Sequence, residues 1–295
     1  VSYLPGLSFL LEHIVDSCIR ILLYIYNALA TISVDNIDIN GQRTILINIC
    51  MTKFIVSLFL FLSLSSVQAF DPKLKPIQVV IPFTPGGGVD MTFRHIQRYA
   101  SQRGIVMVPI YKPGAEGLIG MSELATLPND GYHVSVNTAT VIAYYRMRNP
   151  STDVSIITGI SQGVLTVVVN PKVGINTLSD LENALKVGRK LNIGYGAPTQ
   201  RMFIEQLQDL THAQPGSILV PYKGGGPVLN DLVSGHIDMA VLPASVVKAQ
   251  IESGKLIPIT NNIAIKERFT KWESFESYAF IVEKDTNDDA KRFWI

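Results

Sequence analysis

Val79-Val-Ile-Pro-Phe-Thr-Pro-Gly-Gly-Gly-Val-Asp-Met-Thr-Phe93 is the stretch whose reading decides the fold. Val79, Val80, Ile81 and Phe83 form a nearly unbroken run of β-branched and aromatic residues, the pattern of a strand covered on both faces. Pro85 ends the strand. Gly86, Gly87 and Gly88 let the backbone come close to a ligand with no Cβ in the way. Val89, Phe93 and Ile96 then recur at helical spacing, so a helix begins at the glycines. The first amides of a helix have no carbonyl partner one turn earlier, and they face a positive dipole end. A strand, a glycine turn and a helix start therefore make an anion site, or simply a tight connection. The spacing fits neither the G-x-G-x-x-G dinucleotide fingerprint nor a P-loop.

Outward from this stretch, strand and helix patterns alternate. Strands are predicted at Val106–Tyr111, Tyr132–Asn137, Val164–Val169, Leu191–Tyr195, Ile218–Tyr222, Ile237–Leu242, Leu256–Thr260 and Tyr278–Glu283. Between them lie helical patterns, one opened by the capping box Thr177-Leu-Ser-Asp180 and another by Gly224-Gly-Gly-Pro227. Such alternation predicts an α/β protein with parallel-rich sheets and crossover helices. A second glycine-rich turn after the strand ending at Tyr222 suggests two lobes whose loops face one cleft.

The chain of 295 residues is long enough for two modest domains. A net charge of +1 and the lack of any basic block argue against a nucleic-acid partner. Both cysteines, Cys18 and Cys50, precede Met51, so the remainder has no thiol chemistry. Met51-Thr-Lys53, an apolar run from Phe54 to Leu64, and Val67 and Ala69 at the −3 and −1 positions form a secretory signal pattern spanning 51–69. Export to the periplasm is the expectation. A signal peptide works from a chain terminus, so Val1–Cys50 is expected to be a mis-assigned or alternative N-terminal extension.

Catalytic chemistry is poorly represented. His95, His133, His212 and His236 are scattered singly, without metal-ligand spacing. Asp90 reads as a helix cap or loop anchor before it reads as a general base. Tyr144 and Tyr145 read as packing residues or as a cleft rim. The expectation is a binding protein, not an enzyme, with no cofactor and no metal.

The ordered motifs Lys75-Pro-Ile-Gln-Val-Val-Ile-Pro-Phe-Thr-Pro-Gly-Gly-Gly-Val-Asp90, Lys112-Pro-Gly-Ala-Glu-Gly117, Pro128-Asn-Asp-Gly-Tyr132 and Val220-Pro-Tyr-Lys-Gly-Gly-Gly-Pro-Val-Leu-Asn-Asp-Leu-Val-Ser-Gly-His-Ile-Asp238 carry a family likeness. The sequence resembles the periplasmic receptors of tripartite tricarboxylate transporters, the Bug-type solute-binding proteins, over about Lys75 to Thr260. The resemblance implies a two-lobe, Venus-flytrap, periplasmic-binding-protein-like fold. Lobe one would be 70–169 with 261–295, and lobe two 170–260. Lobe one would be truncated at its C-terminal side, because relatives continue further.

The same resemblance implies capture of a small carboxylate-bearing metabolite by a monomer that serves inner-membrane transporter subunits. A sensor for a membrane signalling partner, or an enzyme acting on a phosphorylated substrate, are the alternatives. Carried over residue by residue, the implied ligand contacts are Phe83, Gly86, Gly87 and Asp90, then Thr138 and Ala139, in lobe one. In lobe two they are Ala197, Thr199 and Gln200, then Gly224, Gly225 and Gly226. Two positions depart from the family pattern. Arg201 stands where a His is common, and could face either a ligand carboxylate or solvent. Leu242 stands where an Asp is common, which disfavours an amine-bearing ligand.

Overall fold

The computed structural model describes residues 70–150, 154–268 and 275–295. The predicted N-terminal extension and signal peptide lie outside these residues. The described chain builds two five-stranded sheets. In the first, β1 (Ile77–Ile81) lies between β2 (Met107–Tyr111) and β3 (His133–Thr138), and all three run parallel. Beyond β3 come two antiparallel neighbours, β10 (Glu276–Glu283) and then β4 (Val154–Gly163). Its helices are α1 (Gly88–Ser101), α2 (Leu118–Leu124) and α3 (Ala139–Arg148), with α9 (Asp288–Phe293) at the end of the chain.

The second sheet repeats this plan in the order β7-β6-β8-β5-β9. Here β6 (Asn192–Tyr195) is central between β7 (Ile218–Pro221) and β8 (Met239–Pro243), again parallel. Antiparallel β5 (Leu165–Val169) and β9 (Ile257–Asn261) follow. Its helices are α4 (Leu178–Lys186), α5 (Pro198–Leu210), α6 (Gly225–Ser234), α7 (Ala244–Glu252) and α8 (Asn262–Arg268).

Burial explains why these segments take these forms. Ile77, Val79, Val80 and Ile81 are fully buried, as a strand flanked by helices on both faces requires. One face of α1 buries Val89, Phe93 and Ala100, while Arg94 and Arg98 remain in water. The α4 capping box forms as predicted, with Thr177 and Asp180 each accepting a backbone amide of the other. Each half has its own apolar core: Phe93, Met121 and Leu124 lie in the first, and Leu181, Phe203 and Leu207 in the second.

Two sequence expectations need correction. Strand Leu165–Val169, assigned above to lobe one, pairs with β8 and β9 and belongs to the second sheet. The chain crosses between halves at Val164 rather than after Val169, and it returns after α8. Strand β4 was not anticipated. Its burial is irregular and its pairing with β10 has two register shifts, so neither a period of two nor a continuous apolar run marks it.

Candidate functional site

All three parallel strands of each half end in a turn that starts a helix, so ligand-accessible amides collect at one sheet edge. After β1, the Gly86 amide donates to Asp90 Oδ2 at 2.9 Å. After β6, the Gly196 amide donates to Gln200 Oε1 at 2.8 Å. In each case the acceptor stands four residues on, one turn into the helix, and pins the turn that precedes it. The edge-strand turns also match. Gly114 after β2 and Gly224 after β7 share an unusual backbone, φ 138 and ψ 163 against φ 147 and ψ 170, a region open essentially to glycine. The two Gly-Gly-Gly runs are therefore not counterparts. By strand position, Gly86 corresponds to Gly196, and the turn at Gly224 to that at Gly114.

The two halves bring these turns into direct contact. The Thr84 amide donates to the Lys223 carbonyl at 3.0 Å. A Cβ placed on Gly87 would lie 3.1 Å from the Gly225 nitrogen, and one on Gly226 would lie 2.3 Å from the Pro85 carbonyl oxygen. A Cβ on Gly224 would meet Thr84 Oγ1 at 2.5 Å. That hydroxyl oxygen is buried with no hydrogen-bond partner among the described residues. Beside the loops, Thr199 Oγ1 donates to Thr140 Oγ1 at 2.8 Å, joining the starts of α5 and α3. Ala197 packs into the first core and Met91 against the second half's Leu242 cluster.

Of the residues implied by the resemblance, Phe83, Gly86, Gly87, Gly224, Gly225 and Gly226 come together at this contact. Ala197, which precedes α5, and Thr199 and Gln200 in its first turn sit beside it. Thr138 is fully buried and caps α3 through its hydroxyl, while Ala139 is exposed. Asp90 is buried, and its oxygens already serve the Gly86 amide, Arg94 Nε at 2.9 Å and the Tyr111 hydroxyl at 2.6 Å. Its carboxyl lies below its ordinary value. Burial pushes it up, but bonds from Tyr111, Gly86 and Arg94 outweigh that.

A carboxyl depressed in the folded state stabilises above its unfolded value and loses that contribution as pH falls through the folded one. The Asp90 clamp should therefore hold at neutral pH and release only below about pH 4. Asp90→Asn should cost about 2 kcal/mol, because it leaves buried donors with a poorer partner. It should also speed hydrogen exchange at the Gly86 amide. Unchanged exchange there would refute the clamp.

Arg201 is half exposed at the rim. Its Nε pairs with Glu205 at 2.8 Å and its Nη1 faces Glu116 of the first half at 3.8 Å. Leu242 is fully buried, and a Cβ on Gly225 would lie 3.2 Å from it, so the floor beneath α6 is apolar. Tyr145 is buried in the first core, and Tyr144 lies within reach of Arg148, which fits packing roles for both. His95 is exposed.

The sequence reading missed Thr84, Thr140 and the Lys223 carbonyl. Thr-Pro before the glycines and the second threonine of Thr138-Ala-Thr140 were visible as polar residues at helix starts. Nothing local marked the Lys223 carbonyl.

Residues 93–283 match the tripartite tricarboxylate transporter family receptor. The chain belongs to that family. The family and the fold are those of periplasmic solute-binding proteins. Among curated relatives, a UPF0065 protein from the tcbD-tcbE intergenic region of Pseudomonas sp. (strain P51) is 28% identical over 176 residues, 57% of this chain and 52% of that one. Protein BugT of Bordetella pertussis is 27% identical over 222 residues, 70% of this chain and 67% of its own. The chain thus spans about half the length of the first relative and two thirds of the second.

A solved periplasmic transporter superposes with a TM-score of 0.68 at 27% identity, covering 74% of this chain and 80% of its own. The R. palustris protein Rpa4515, solved with adipate, gives 0.68 at 23% identity over 76% and 82%, which is a likeness of fold. Among the described residues of this receptor-family chain, no helix is long and apolar enough to cross a membrane.

Proposed function

We propose that this chain captures a small carboxylate-bearing metabolite between its two halves, in the periplasm, for a tripartite tricarboxylate-type transporter. The observation that carries the reading is the meeting of the Thr84–Gly87 turn with the Lys223–Gly226 turn, around a buried and unpartnered Thr84 hydroxyl. Amides at the starts of α1 and α6 supply donors and a positive dipole, both matched to an anion. Leu242 beneath α6 offers no counter-charge to an amine, so an acid with an apolar body fits better than an amino acid. The family and a fold neighbour solved with adipate support the same ligand class.

Capture would proceed by opening and closing. The open halves expose both turns to water. A ligand that touches both turns gains contacts only when they close, and so shifts the population toward the closed form. The Thr84–Lys223 backbone bond is the contact with which an entering carboxylate competes.

The test is thermal unfolding with adipate, succinate and citrate, each beside its uncharged amide. At a hundredfold excess over Kd, a bound acid adds about 2.7 kcal/mol, so the midpoint should rise by about 5–10 °C. The amides should leave it unchanged. A series in which no acid shifts the midpoint, or in which acid and amide shift it equally, rejects the anion-capture reading.

A further inference from the structure

Helix α1 and the start of β2 border a groove of about 500 Å³ on the first half. Arg94, Gln97, Arg98 and Ser101 line it from one face of α1, and Val106 and Met107 line it from β2 and the residue before it. Its charge has one sign. The chain as a whole is balanced, with 25 Lys and Arg against 24 Asp and Glu, yet Met91 to Lys112 holds Arg94, Arg98, Arg103 and Lys112 and no acidic residue. Lys112 is answered by Glu123 of α2 at 2.8 Å. Arg98 is exposed and has no ion pair among the described residues. Arg94 gives its Nε to Asp90 and its Nη2 to the Tyr111 hydroxyl, at 2.9 and 3.2 Å. Those bonds hold its guanidinium in place, and with five N–H donors it has others to offer. Lys73 adds a cation at the far end, its Cε 3.9 Å from where a Cβ on Gly104 would lie.

The strand bordering the groove is closed to pairing. β2 is an edge strand. The Ile77 amide donates to the Val106 carbonyl and the Lys112 amide to the Ile81 carbonyl, so the even-numbered residues bond inward and Met107, Pro109 and Tyr111 turn their backbone outward. Pro109 has no N–H, and the Met107 carbonyl already accepts Gln97 Nε2 at 2.8 Å. A second copy adding its own strand here is disfavoured. Recognition falls to the side chains.

We propose that this groove docks an acidic, extended segment of a partner protein, with carboxylates on alternate residues. Arg94 and Arg98 stand one turn apart, a rise of about 6 Å along α1. Side chains on one face of an extended segment recur every ~6.6 Å, which matches. Planar guanidinium groups suit carboxylates, and a concave slot with fixed donors suits side chains better than a flat lipid surface. Val106, 57% exposed, adds apolar surface beside the cations. Docking here does not depend on capture of a metabolite, and the assay contains none.

The experiment is fluorescence anisotropy of the full chain with a labelled peptide that alternates glutamate and valine. Two controls accompany it, one with glutamine for glutamate and one of the same composition with its glutamates in a single block. The alternating peptide should bind, and should weaken as salt rises from about 0.01 to 0.15 M, because the screening length falls from about 30 to 8 Å. The controls should bind at least about tenfold more weakly, and Arg98→Gln should weaken the alternating peptide by a similar factor. Arg98 is exposed, so this change spares the core. Val106→Glu, which sets a like charge in the groove at an exposed position, should weaken it too.

No binding of the alternating peptide overturns the proposal. Equal binding of the blocked peptide overturns the spacing match, and affinity unchanged in both variants overturns the placement in this groove. Sedimentation with phosphatidylglycerol vesicles tests the lipid surface: vesicle binding that Arg98→Gln abolishes, with no peptide binding, would assign the groove to a membrane and overturn the protein partner.

Discussion

Gly226→Ala should hold the two halves apart without unfolding either. The added Cβ would sit 2.3 Å from the Pro85 carbonyl oxygen, a distance that real Cβ atoms do not tolerate. Pro85 is in the first half and Gly226 is the second residue of α6 in the second, so separation of the halves relieves the clash. Neither core is touched, and alanine favours a helix over glycine by about 1 kcal/mol. The midpoint of unfolding should therefore stay within about 2 °C of the wild type. The radius of gyration should rise, and the affinity for any acid that stabilises the wild type should fall about a hundredfold or more, the consequence of depopulating the binding-competent form. Scattering and calorimetry check the two parts. Retained affinity with an unchanged radius would mean that closure does not bring these turns together.

Gly196→Ala should do the opposite. Its Cβ would lie 2.3 Å from the Gly224 carbonyl carbon, 2.5 Å from that oxygen and 2.7 Å from the Gly225 nitrogen, all backbone atoms of the same half. Opening the halves cannot relieve this clash. The turns after β6 and β7 would have to part, against the parallel pairing of those strands. Overpacking of this kind costs about 3 kcal/mol, which for a domain of this size lowers the midpoint by about 6–12 °C. Denaturant unfolding measures the loss directly. A variant as stable as the wild type would show that the β6 and β7 turns have room to separate. Two glycine substitutions in one site thus divide by a single criterion, whether the obstructing backbone belongs to the same half or to the other.

That division was not readable from the chain. The two Gly-Gly-Gly runs look alike, yet one follows a central strand and the other an edge strand. The true counterpart of Gly86 is Gly196, and each is pinned by a side chain four residues later, Asp90 or Gln200. An acidic residue in one case and an amide in the other share no sequence signature, although both satisfy the same orphan amide. Asp90 was legible as a loop anchor because an acidic residue in a first helical turn usually serves backbone donors.

Apart from β4, the sequence by itself determined which segments are strands and where helices begin, since buried strands need continuous apolar runs and helix starts need caps, prolines or glycines, all of them local signals. It also carried enough ordered motifs to place the chain in its family. Only the tertiary structure decided that β5 belongs to the second sheet and that the turns at Thr84 and Lys223 touch. Those facts depend on contacts between residues far apart along the chain, and such contacts are set by how two separately formed cores close on each other. No periodicity within a segment records that closure.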